Sequence, residues 1–430
     1  MAQRIFLVIG SGGREHALAW KLSQGPNEPI VHVAPGSDGI AADEAIRGEC
    51  VDIGVDDFEA LAGFVEEREV DLTVVGPEAP LCAGLADFFA ERGLAVFGPK
   101  KAAAQLEGSK SFAKEIMVAA GVPTAGYDAF EDLDSALDHV READHPVVIK
   151  ADGLAAGKGV VISEDVDTSV ETLESYMAEE AFGEASQRVV IEEFLEGTEL
   201  SFMVVTDGDQ IVALSTSQDH KRAGEGDTGP NTGGMGAFTP SHLATEELES
   251  RLVAEVIEPT LAELERRGID YSGFLYAGLM FTEKGPKVLE FNCRMGDPET
   301  QPLLFAMEAD LGEVLLRAAA GELRGDEPLK SEQHAFCVVL ASKGYPGPRE
   351  TGFVIHGLDE AAEVPETKVF HAGTELDADG NFRNTGGRVL GVTARAPSRE
   401  EARKRVYEAV DQIRWEGMQY RRDIGSVFSE

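Results

Sequence analysis

Apolar runs and amphipathic segments alternate along the first hundred residues, and this pattern predicts alternating strands and helices. Runs of strand length lie at 4–10, 30–36, 71–78 and 94–99. The amphipathic segments that predict helices are 14–22, 58–69 and 80–93. Strands that alternate with helices at this spacing form a parallel sheet covered on both faces. Residues 1–103 are therefore expected to fold as a doubly wound α/β domain.

The pattern changes in the next part of the chain, where the spacing predicts a differently built unit. A helical bridge is predicted over 100–124, ending at a Gly-Val-Pro sequence. Strand-like segments at 146–162 and 188–207 then flank a helix around 168–181. Their lengths and turns predict a small α+β lid made of strand hairpins.

The second half of the chain contains one strong hairpin signal and a further mixed unit. Residues 274–292 have the pattern of two apolar strands around a turn at Glu283–Pro286. Another alternation of strands and helices starts near 334–347 and continues to the end of the chain. No tandem repeat or low-complexity tract interrupts the pattern, so a multidomain α/β protein is expected.

Composition indicates a globular protein of the reducing cell interior. Hydrophobic residues make up 43% of the 430 residues, enough for several cores. No apolar run reaches membrane-spanning length, and the first nine residues have the pattern of a strand rather than a signal peptide. Four scattered cysteines without a CxxC pair argue against a zinc site or a disulfide framework. A cytoplasmic location is expected.

The charge balance is strongly acidic, with 78 acidic and 38 basic side chains and a net charge of −40. Such a surface repels nucleic acids and anionic membranes, so neither is expected as a partner. The acids are spread through helix-like segments, which indicates a solvated acidic shell and suggests a halophilic host with high internal salt. Basic residues inside glycine-rich loops stand out against this background and are expected to contact anions.

Three loops at the predicted carboxyl edge of the first sheet are candidates for ligand binding. The stretch GSGGREHA (10–17) follows a strand and opens a helix, so its amides can hold a phosphate. It differs from a dinucleotide fingerprint, because Glu15 stands where the third glycine belongs. The loops at 35–39 and 76–81 lie at the same edge, where open sheets bind ligands. A glycine turn that serves only sheet packing is the alternative.

A second glycine-rich segment, IKADGLAAGKGV (149–160), joins two predicted strands. It is not a P-loop, because Asp152 and Gly159 stand where that motif requires Gly and Ser or Thr. Its small residues, together with Lys150 and Lys158, allow backbone amides and ammonium groups to approach a phosphate chain. A hairpin turn with solvated lysines is the alternative.

Two further segments have the composition of ligand-contacting loops. In 191–202, backbone groups of Glu193–Leu195 can bond a nucleotide base and Glu199 can bond ribose hydroxyls, although glutamate is abundant throughout the chain. Residues 215–238 are rich in glycine, and the length of this segment predicts a substrate-covering loop, with a disordered segment as the alternative.

The stretch LEFNCRMGDPETQ (289–301) places charged and amide side chains where a strand ends. Alternate residues of a strand share a face, so Glu290 and Asn292 point the same way. Two hard oxygen ligands on one face suit Mg²⁺, which keeps waters and takes phosphate oxygens as further ligands. Leu289 and Phe291 on the opposite face indicate burial, which argues against a merely solvated strand end.

The loop that follows this strand carries Arg294, Asp297 and Glu299. An arginine beside a bound metal can hold an anion, and a carboxylate there can orient an amine. The loop sequence RMGDPETQ resembles the signature of the glycinamide ribonucleotide synthetase family of ATP-grasp ligases, with Met295 in place of a common Phe. Other motifs, including KADGLAAGKGV, SQDHKRAGEGDTGPNTGGMGA and YRRDIG, follow in that family's order, and the resemblance covers nearly all of residues 4–425.

The resemblance implies a fold and an activity. The fold would be an N-terminal domain at 1–103, an ATP-grasp domain at 104–326 with a lid at about 123–191, and a C-terminal mixed α/β domain at 327–430. The activity would be the ATP-dependent joining of glycine to 5-phosphoribosylamine through glycyl phosphate, a step of purine synthesis. We expect a monomer or a weak dimer.

The resemblance also implies roles for residues of this sequence. ATP would be bound by Lys110, Lys150, Gly157, Lys158, Glu192, Glu193, Leu195 and Glu199. The metal ion, Mg²⁺ or Mn²⁺, would be bound by Glu290 and Asn292. Catalytic contacts with glycine and phosphoribosylamine would come from Asp219, Lys221, Arg294, Asp297 and Glu299. The sugar phosphate would be held by Gly12, Gly13, Gly36, Ser37, Glu78, Pro80, Lys343 and Arg388.

Two other functions remain open on the sequence alone. One is another ATP-grasp ligase that activates a different carboxylate, such as formate or bicarbonate, and the RMGDPETQ and SQDHK sequences argue against it. The other is a non-catalytic nucleotide-binding relative that keeps the fold. Loss of Glu290, Asn292 or Lys150 would favour that alternative, and all three residues are present.

Overall fold

The computed structural model describes residues 3–155, 159–179 and 181–426. Gly157 and Lys158, for which the resemblance implies contacts with ATP, lie outside the described residues. Four sheets of four or five strands organise the chain, and we call them the N-terminal, lid, core and C-terminal sheets. Within the described ranges, no helix combines the length and the apolar character needed to cross a membrane.

The N-terminal sheet confirms the predicted doubly wound domain. Its four parallel strands, in spatial order, are Ile30–Pro35, Ile5–Gly10, Leu72–Val75 and Val96–Phe97. Both faces of the second strand are covered, since Leu7 and Ile9 enter one hydrophobic cluster while Phe6 and Val8 enter another. The helices of this part are Gly13–Ser23, Asp38–Ala41, Phe58–Glu67, Glu78–Ala83 and Leu85–Glu91.

Two segments that were predicted as single helices are each divided in the structure. The segment 80–93 turns at Gly84, whose φ of +104° lies in the left-handed region that favours glycine. The helical bridge consists of Lys101–Gly108 and Lys110–Ala120, divided at Ser109, whose side chain caps the second helix. A serine at this position favours a new helix start, because its oxygen satisfies an amide that has no helical partner.

The lid sheet is antiparallel and smaller than the strand pattern predicted. Its strands, in spatial order, are Tyr127–Phe130, Val189–Glu193, Val147–Ala151 and Val160–Ser163. The accompanying helices are Leu133–Glu142, Val166–Leu173, a π-helical turn at Glu174–Ala178 and a 3-10 turn at Gly183–Ser186. The strand Thr198–Thr206, which was expected among the lid hairpins, belongs to the core sheet, because nearly all of its side chains are buried on both faces.

The core sheet contains the hairpin predicted at 274–292. Its antiparallel strands, in spatial order, are Ile211–Ala213, Thr198–Thr206, Gly273–Thr282 and Gly285–Asn292. Thr282 pairs with Gly285, so the hairpin is confirmed, with a turn of two residues. The helices of this part of the chain are Glu246–Leu252, a π-helical turn at Val253–Ile257, Glu258–Arg266, Thr300–Ala306 and Leu311–Ala319.

The C-terminal sheet takes two of its five strands from the middle of the chain. In spatial order its strands are Gln218–Asp219, Gly236–Thr239, His334–Ala341, Arg388–Ala396 and Thr367–His371. The segment 215–238, expected as a loop, therefore contains two sheet strands and a hairpin formed by Arg222–Gly224 and Thr228–Asn231. The remaining elements are the helices Leu358–Ala362 and Arg399–Val410 and the strand pair Thr374–Leu376 and Phe382–Asn384.

A buried ion-pair network joins the N-terminal and C-terminal parts of the chain. Asp43 accepts from His16 Nε2 at 2.9 Å and from Lys368 Nζ at 2.6 Å, and its side chain is 7% exposed. Burial alone would raise the pKa of Asp43, but the His16 hydrogen bond and the Lys368 charge lower it below the ordinary value. Such a carboxylate stabilises the fold above its unfolded-state pKa, and this contribution is lost as the pH falls towards its folded-state pKa.

We expect Asp43→Asn to lower the free energy of unfolding at pH 7 by about 3 kcal/mol, because Lys368 keeps its charge without a partner. The difference from the wild type should shrink below pH 4, where the unfolded wild-type chain takes up a proton at this position. Urea unfolding at pH 7 and pH 3 measures both values. Glu44→Gln, at the exposed neighbouring residue, serves as the control. A loss that does not change with pH would contradict the assignment.

Candidate active site

A cleft between the lid, core and C-terminal sheets brings most of the predicted residues together. It consists of two adjoining cavities of about 330 and 250 Å³. Both cavities are lined by Lys150, Glu192, Glu290, Asn292 and Asp297, and we call the pair the central cleft. The predicted residues that line it are Glu78, Lys110, Lys150, Glu192, Glu193, Leu195, Glu199, Asp219, Lys221, Glu290, Asn292, Arg294, Asp297, Glu299 and Arg388.

Glu290 and Asn292 lie on the last core strand and line both cavities. Leu289, which was expected to be buried on the opposite face, lines both cavities as well. Burial alone would raise the pKa of Glu290, but the charges of Lys221, Lys110 and Lys150 hold it at about 2. The Glu290 carboxyl is therefore ionised at neutral pH and presents a negatively charged oxygen to the cleft.

This pair of side chains fits a divalent cation. Within the described part of the chain, no group of three His, Cys, Asp or Glu side chains forms a metal position of its own. One carboxylate and one amide oxygen leave most coordination positions open, which suits Mg²⁺ because it keeps waters and shares phosphate oxygens. The donor set of Glu290 and Asn292 therefore matches a metal ion that binds together with a nucleotide.

Two lysines from different elements share one buried glutamate in the wall of the cleft. Lys150 Nζ lies 2.8 Å from Glu192 Oε1, and Lys114 Nζ lies 3.0 Å from Glu192 Oε2. Lys150 also donates to the Leu289 carbonyl at 3.1 Å. Burial lowers the pKa of Lys114 to about 8. Both carboxylate oxygens of Glu192, a residue expected at the nucleotide, contact lysines, so this side chain holds Lys150 in place.

Part of the lining of the second cavity is apolar and comes from the lid and the core sheet. The apolar lining residues include Val148, Ile162, Phe194, Leu195 and Met280. Apolar walls of this kind suit a nucleotide base. The Glu193 carboxylate, expected here, accepts instead from Lys287 at 2.6 Å and from the Gly126 amide at 3.0 Å. A base at this position would therefore meet the backbone of the segment rather than the Glu193 carboxylate.

Lys221 connects the residue predicted for ribose with the residue predicted for the metal. Its Nζ lies 3.0 Å from Glu199 and 4.0 Å from Glu290. The Glu199 charge raises the pKa of Lys221 well above its ordinary value, so the side chain remains an ammonium group. The structure thus places a permanent positive charge beside the Glu199 and Glu290 carboxylates.

Asp219 and Glu299 both line the second cavity, but they have different surroundings. Glu299 Oε1 accepts from the Tyr276 hydroxyl at 2.8 Å and from the Ser201 hydroxyl at 3.1 Å. Asp219 Oδ1 is buried and has no hydrogen-bond partner among the described residues. Burial and the Glu299 charge raise the pKa of Asp219 well above its ordinary value. A buried acceptor of this kind is suited to a donor on a ligand.

Arg294 was expected to hold an anion, but carboxylates of the protein already contact it. Its Nε lies 3.2 Å from Glu78 and its Nη2 lies 2.6 Å from Glu107. Burial alone would lower the pKa of Arg294, but the charges of Glu107 and Glu78 raise it. Glu78, expected at the sugar phosphate, is thus a partner of Arg294. This follows from burial, since a guanidinium withdrawn from solvent needs anionic partners.

Arg388 enters the cleft from the C-terminal sheet and bonds two loops. Its Nη2 lies 2.8 Å from the Asp297 carboxylate, and its Nη1 donates to the Asp297 carbonyl at 2.5 Å and to the Gly233 carbonyl. Burial alone would raise the pKa of Asp297, but Arg388 and Arg14 lower it. Asp297 and Arg388 were expected at different parts of the substrates, whereas the structure brings them together in one ion pair.

Six predicted residues do not line the central cleft, namely Gly12, Gly13, Gly36, Ser37, Pro80 and Lys343. The Gly12 amide donates to the Glu15 carboxylate at 2.7 Å, so the helix caps itself where a phosphate was expected. The Lys343 side chain is 62% exposed and pairs with Glu350 at 2.8 Å. These six residues therefore lie outside the lining of the central cleft.

Several charged or polar residues of the cleft were not predicted, among them Arg14, Glu107, Lys114 and Tyr276. Arg14 had a signal in the sequence, because it is a basic residue in a glycine-rich loop of a strongly acidic chain. Glu107 and Lys114 lie in amphipathic helices, where a charge usually faces solvent. Their burial depends on distant partners, which periodicity does not indicate.

Three family models match consecutive parts of the chain. They are described as the N domain, the ATP-grasp (A) domain and the C domain of phosphoribosylglycinamide synthetase. The residues they match are 4–107, 108–300 and 335–427. Together these matches extend over most of the chain.

Curated relatives and solved structures agree with the family models. The phosphoribosylamine–glycine ligase of Vibrio vulnificus is 50% identical, and that of Allochromatium vinosum is 51% identical, each over 97% of both chains. The crystal structure of phosphoribosylamine–glycine ligase from Thermotoga maritima is 36% identical, with a TM-score of 0.83 over 98% of this chain and 100% of that one. N5-carboxyaminoimidazole ribonucleotide synthetase from the same organism shares the fold, with a TM-score of 0.63 at 19% identity. On these matches, the chain belongs to the phosphoribosylglycinamide synthetase family.

Proposed function

We propose that this chain joins glycine to 5-phosphoribosylamine at the expense of ATP, which gives glycinamide ribonucleotide, ADP and phosphate. The observation that carries the proposal is the central cleft, where a metal-ligand pair, buried lysines and an acidic region from three sheets meet. Relatives that are about half identical over nearly the whole chain are phosphoribosylamine–glycine ligases.

The first chemical step overcomes the low electrophilicity of a carboxylate. Transfer of the terminal phosphoryl group of ATP to the glycine carboxylate gives glycyl phosphate and ADP, and turns one oxygen into a leaving group. Such a transfer requires positioning and charge stabilisation rather than a protein nucleophile. Lys110 and Lys150 supply positive charge to the ATP phosphates. A divalent cation held by Glu290 and Asn292 would neutralise further phosphate charge.

In the second step, the amino nitrogen of phosphoribosylamine attacks the carbonyl carbon of glycyl phosphate. The new C–N bond forms as the bond from that carbon to the phosphate oxygen breaks and phosphate leaves, and the proton lost by the nitrogen passes to water. Asp219, whose Oδ1 has no partner among the described residues, is placed to accept a hydrogen bond from an amine or ammonium group. Glu299 lies in the same cavity, held by Tyr276 and Ser201.

An assay of ADP release tests this proposal against both alternatives. ADP is expected to form when glycine and phosphoribosylamine are both present, and alanine, serine or formate in place of glycine should give much lower rates. Efficient turnover with formate or bicarbonate would instead identify another ATP-grasp ligase. A protein that binds ATP without any turnover would be a non-catalytic relative, although Glu290, Asn292 and Lys150 all line the cleft.

The same proposal covers the metal ion, the domain boundaries, the cellular location and the oligomeric state of the enzyme. ATP would bind with Mg²⁺ or Mn²⁺, since both ions accept oxygen ligands. The domains would be 1–103, 104–326 and 327–430, with a lid at about 123–191, a division close to that of the three family models. The enzyme would act in the cytoplasm on small molecules, as a monomer or a weak dimer.

We also propose that the host is halophilic, because the chain carries a net charge of −40. The Debye length shortens from about 10 Å at 0.1 M salt to about 3 Å at 1 M, so mutual repulsion of the acids is strongest at low salt. Activity and the melting temperature should therefore fall when KCl is lowered from molar concentration to about 0.1 M. Sucrose in place of KCl is the non-ionic control, and a protein indifferent to KCl would contradict the proposal.

A further inference from the structure

A hairpin formed by Arg222–Gly224 and Thr228–Asn231, which we call the site hairpin, starts directly after Lys221. The residues before and after the hairpin, Lys221 and Thr232, are hydrogen-bonded to each other. The amide and the hydroxyl of Thr232 both donate to the Lys221 carbonyl, at 2.7 and 2.9 Å. The Lys221 ammonium group in turn lies 3.0 Å from Glu199 in the cleft. The position of Lys221 therefore depends on the position of the site hairpin.

Arg421, close to the end of the chain, bonds the site hairpin at two points. Arg421 is 1% exposed, and its guanidinium contacts both carboxylate oxygens of Asp423 at 2.7 Å. The remaining terminal nitrogen donates to the Arg222 carbonyl at 2.9 Å and to the Asp227 carboxylate at 2.8 Å. One buried arginine thus joins the first strand and the turn of the hairpin, an arrangement that the planar guanidinium favours.

Two backbone contacts reinforce this connection. The Gly226 amide at the hairpin turn donates to the Asp423 carboxylate at 2.8 Å. The Arg422 amide donates to the Glu225 carboxylate at 3.0 Å. Since each contact joins residues about two hundred positions apart in the chain, the hairpin takes its position from the C-terminal segment rather than from its own sequence.

The same segment also contacts the residue between Asp219 and Lys221. The Gly425 amide donates to His220 Nε2 at 3.2 Å. Burial lowers the pKa of His220, so its ring is neutral and Nε2 can accept this hydrogen bond. Asp219 and Lys221, which both line the cleft, therefore lie on either side of a residue that the C-terminal segment contacts.

From these contacts we propose that Arg421 is a positioning residue for the ligase reaction. It acts through the site hairpin and holds Lys221 at its distances of 3.0 Å from Glu199 and 4.0 Å from Glu290. Arg421 itself does not line the central cleft. The inference rests on the proposed function. Reaction rates fall steeply when a charged group near the reacting atoms shifts by about 1 Å, so a displaced Lys221 would slow the reaction.

Asp227→Gly is the variant that tests this role with the least effect on folding. The Asp227 side chain is 69% exposed, and its φ of +53° is one that glycine adopts freely. We expect kcat to fall about tenfold while KM for ATP changes less than about twofold, since the nucleotide contacts remain. Asp227→Asn keeps an acceptor oxygen for Arg421 and should recover most of the activity.

Asp411→Asn is the matched control. It removes one charge from a surface pair with the Arg422 side chain, at 3.2 Å, and leaves the Arg421 contacts in place. We expect wild-type kcat and KM for this variant. Arg421→Lys is the stronger change, because a lysine keeps the charge but cannot make the forked contacts. If that variant does not fold, the Asp227 variants decide the question.

Amide hydrogen exchange gives a readout that does not depend on the reaction. Faster exchange over 219–232 in Asp227→Gly, together with the lower kcat, would support the proposal. A lower melting temperature with unchanged kcat, or unchanged exchange over these residues, would overturn it. Absence of glycine-dependent ATP turnover in the wild type would overturn the proposed function instead, and the exchange data would still show whether Arg421 holds the hairpin.

Discussion

Replacing Glu290 with glutamine is expected to lower the turnover number by about 10³-fold, because the negative charge at the metal-ligand pair disappears. In the wild type, three lysines keep this carboxyl ionised, with its pKa at about 2. Glutamine preserves the shape of the side chain and an oxygen, so the fold should remain. The apparent affinity for Mg²⁺ in the presence of ATP should fall as well, which a titration of activity with Mg²⁺ measures.

Glu283→Gln provides the control for this variant. Glu283 stands in the exposed turn of the same hairpin, outside the cleft, and the substitution is chemically identical. Wild-type turnover is expected there. If Glu290→Gln retained near-normal turnover at limiting Mg²⁺, Glu290 would not be a metal ligand, and the interpretation of the strand face would be wrong.

The second large effect concerns the two lysines that share Glu192. Lys150→Met is expected to lower kcat/KM for ATP by about 10²- to 10³-fold, because it removes a positive charge from the phosphate region. Lys114→Met removes the same charge from the same glutamate, but the Lys114 side chain is only 2% exposed and its Nζ also donates to the Thr124 hydroxyl at 2.8 Å. Its effect on kcat/KM should be at least about tenfold smaller.

Stability separates the two roles of these lysines. In the wild type, Glu192 lies 2.8 Å from Lys150 Nζ and 3.0 Å from Lys114 Nζ, and each variant leaves this buried glutamate with only one lysine. Both variants should therefore lose a similar amount of unfolding free energy. Thermal unfolding without ATP measures this loss. Equal losses of stability with unequal losses of kcat/KM are expected. Equal catalytic losses would instead assign phosphate binding to the lysine pair as a unit.

Local sequence pattern was sufficient for the N-terminal sheet, for the hairpin at 274–292 and for placing Glu290 and Asn292 together at the proposed metal site. In each case the signal lies within about ten neighbouring residues, since strand alternation decides which side chains share a face. Glu290 and Asn292 are two residues apart, so their common orientation follows from the strand itself. The identity of the amine substrate, in contrast, was predicted only from the resemblance of RMGDPETQ to a family signature.

Local pattern failed where a segment owes its conformation to distant partners. The glycine-rich segment 215–238 has a loop-like composition, yet Phe238 stacks on Phe336 with ring centroids 5.4 Å apart and its strand joins the C-terminal sheet. Burial of these rings and pairing of the backbone outweigh the low strand propensity of glycine. Tertiary contacts therefore decided the structure of this segment.

The sequence by itself determined the strands of the N-terminal sheet, the hairpin at 274–292 and the family that the chain resembles. Only the tertiary structure decided the partners of the charges: Arg294 with Glu78 and Glu107, Arg388 with Asp297. The physical reason is that periodicity is set by neighbouring residues, whereas a buried charge is stabilised by whichever opposite charge the fold brings within about 4 Å of it.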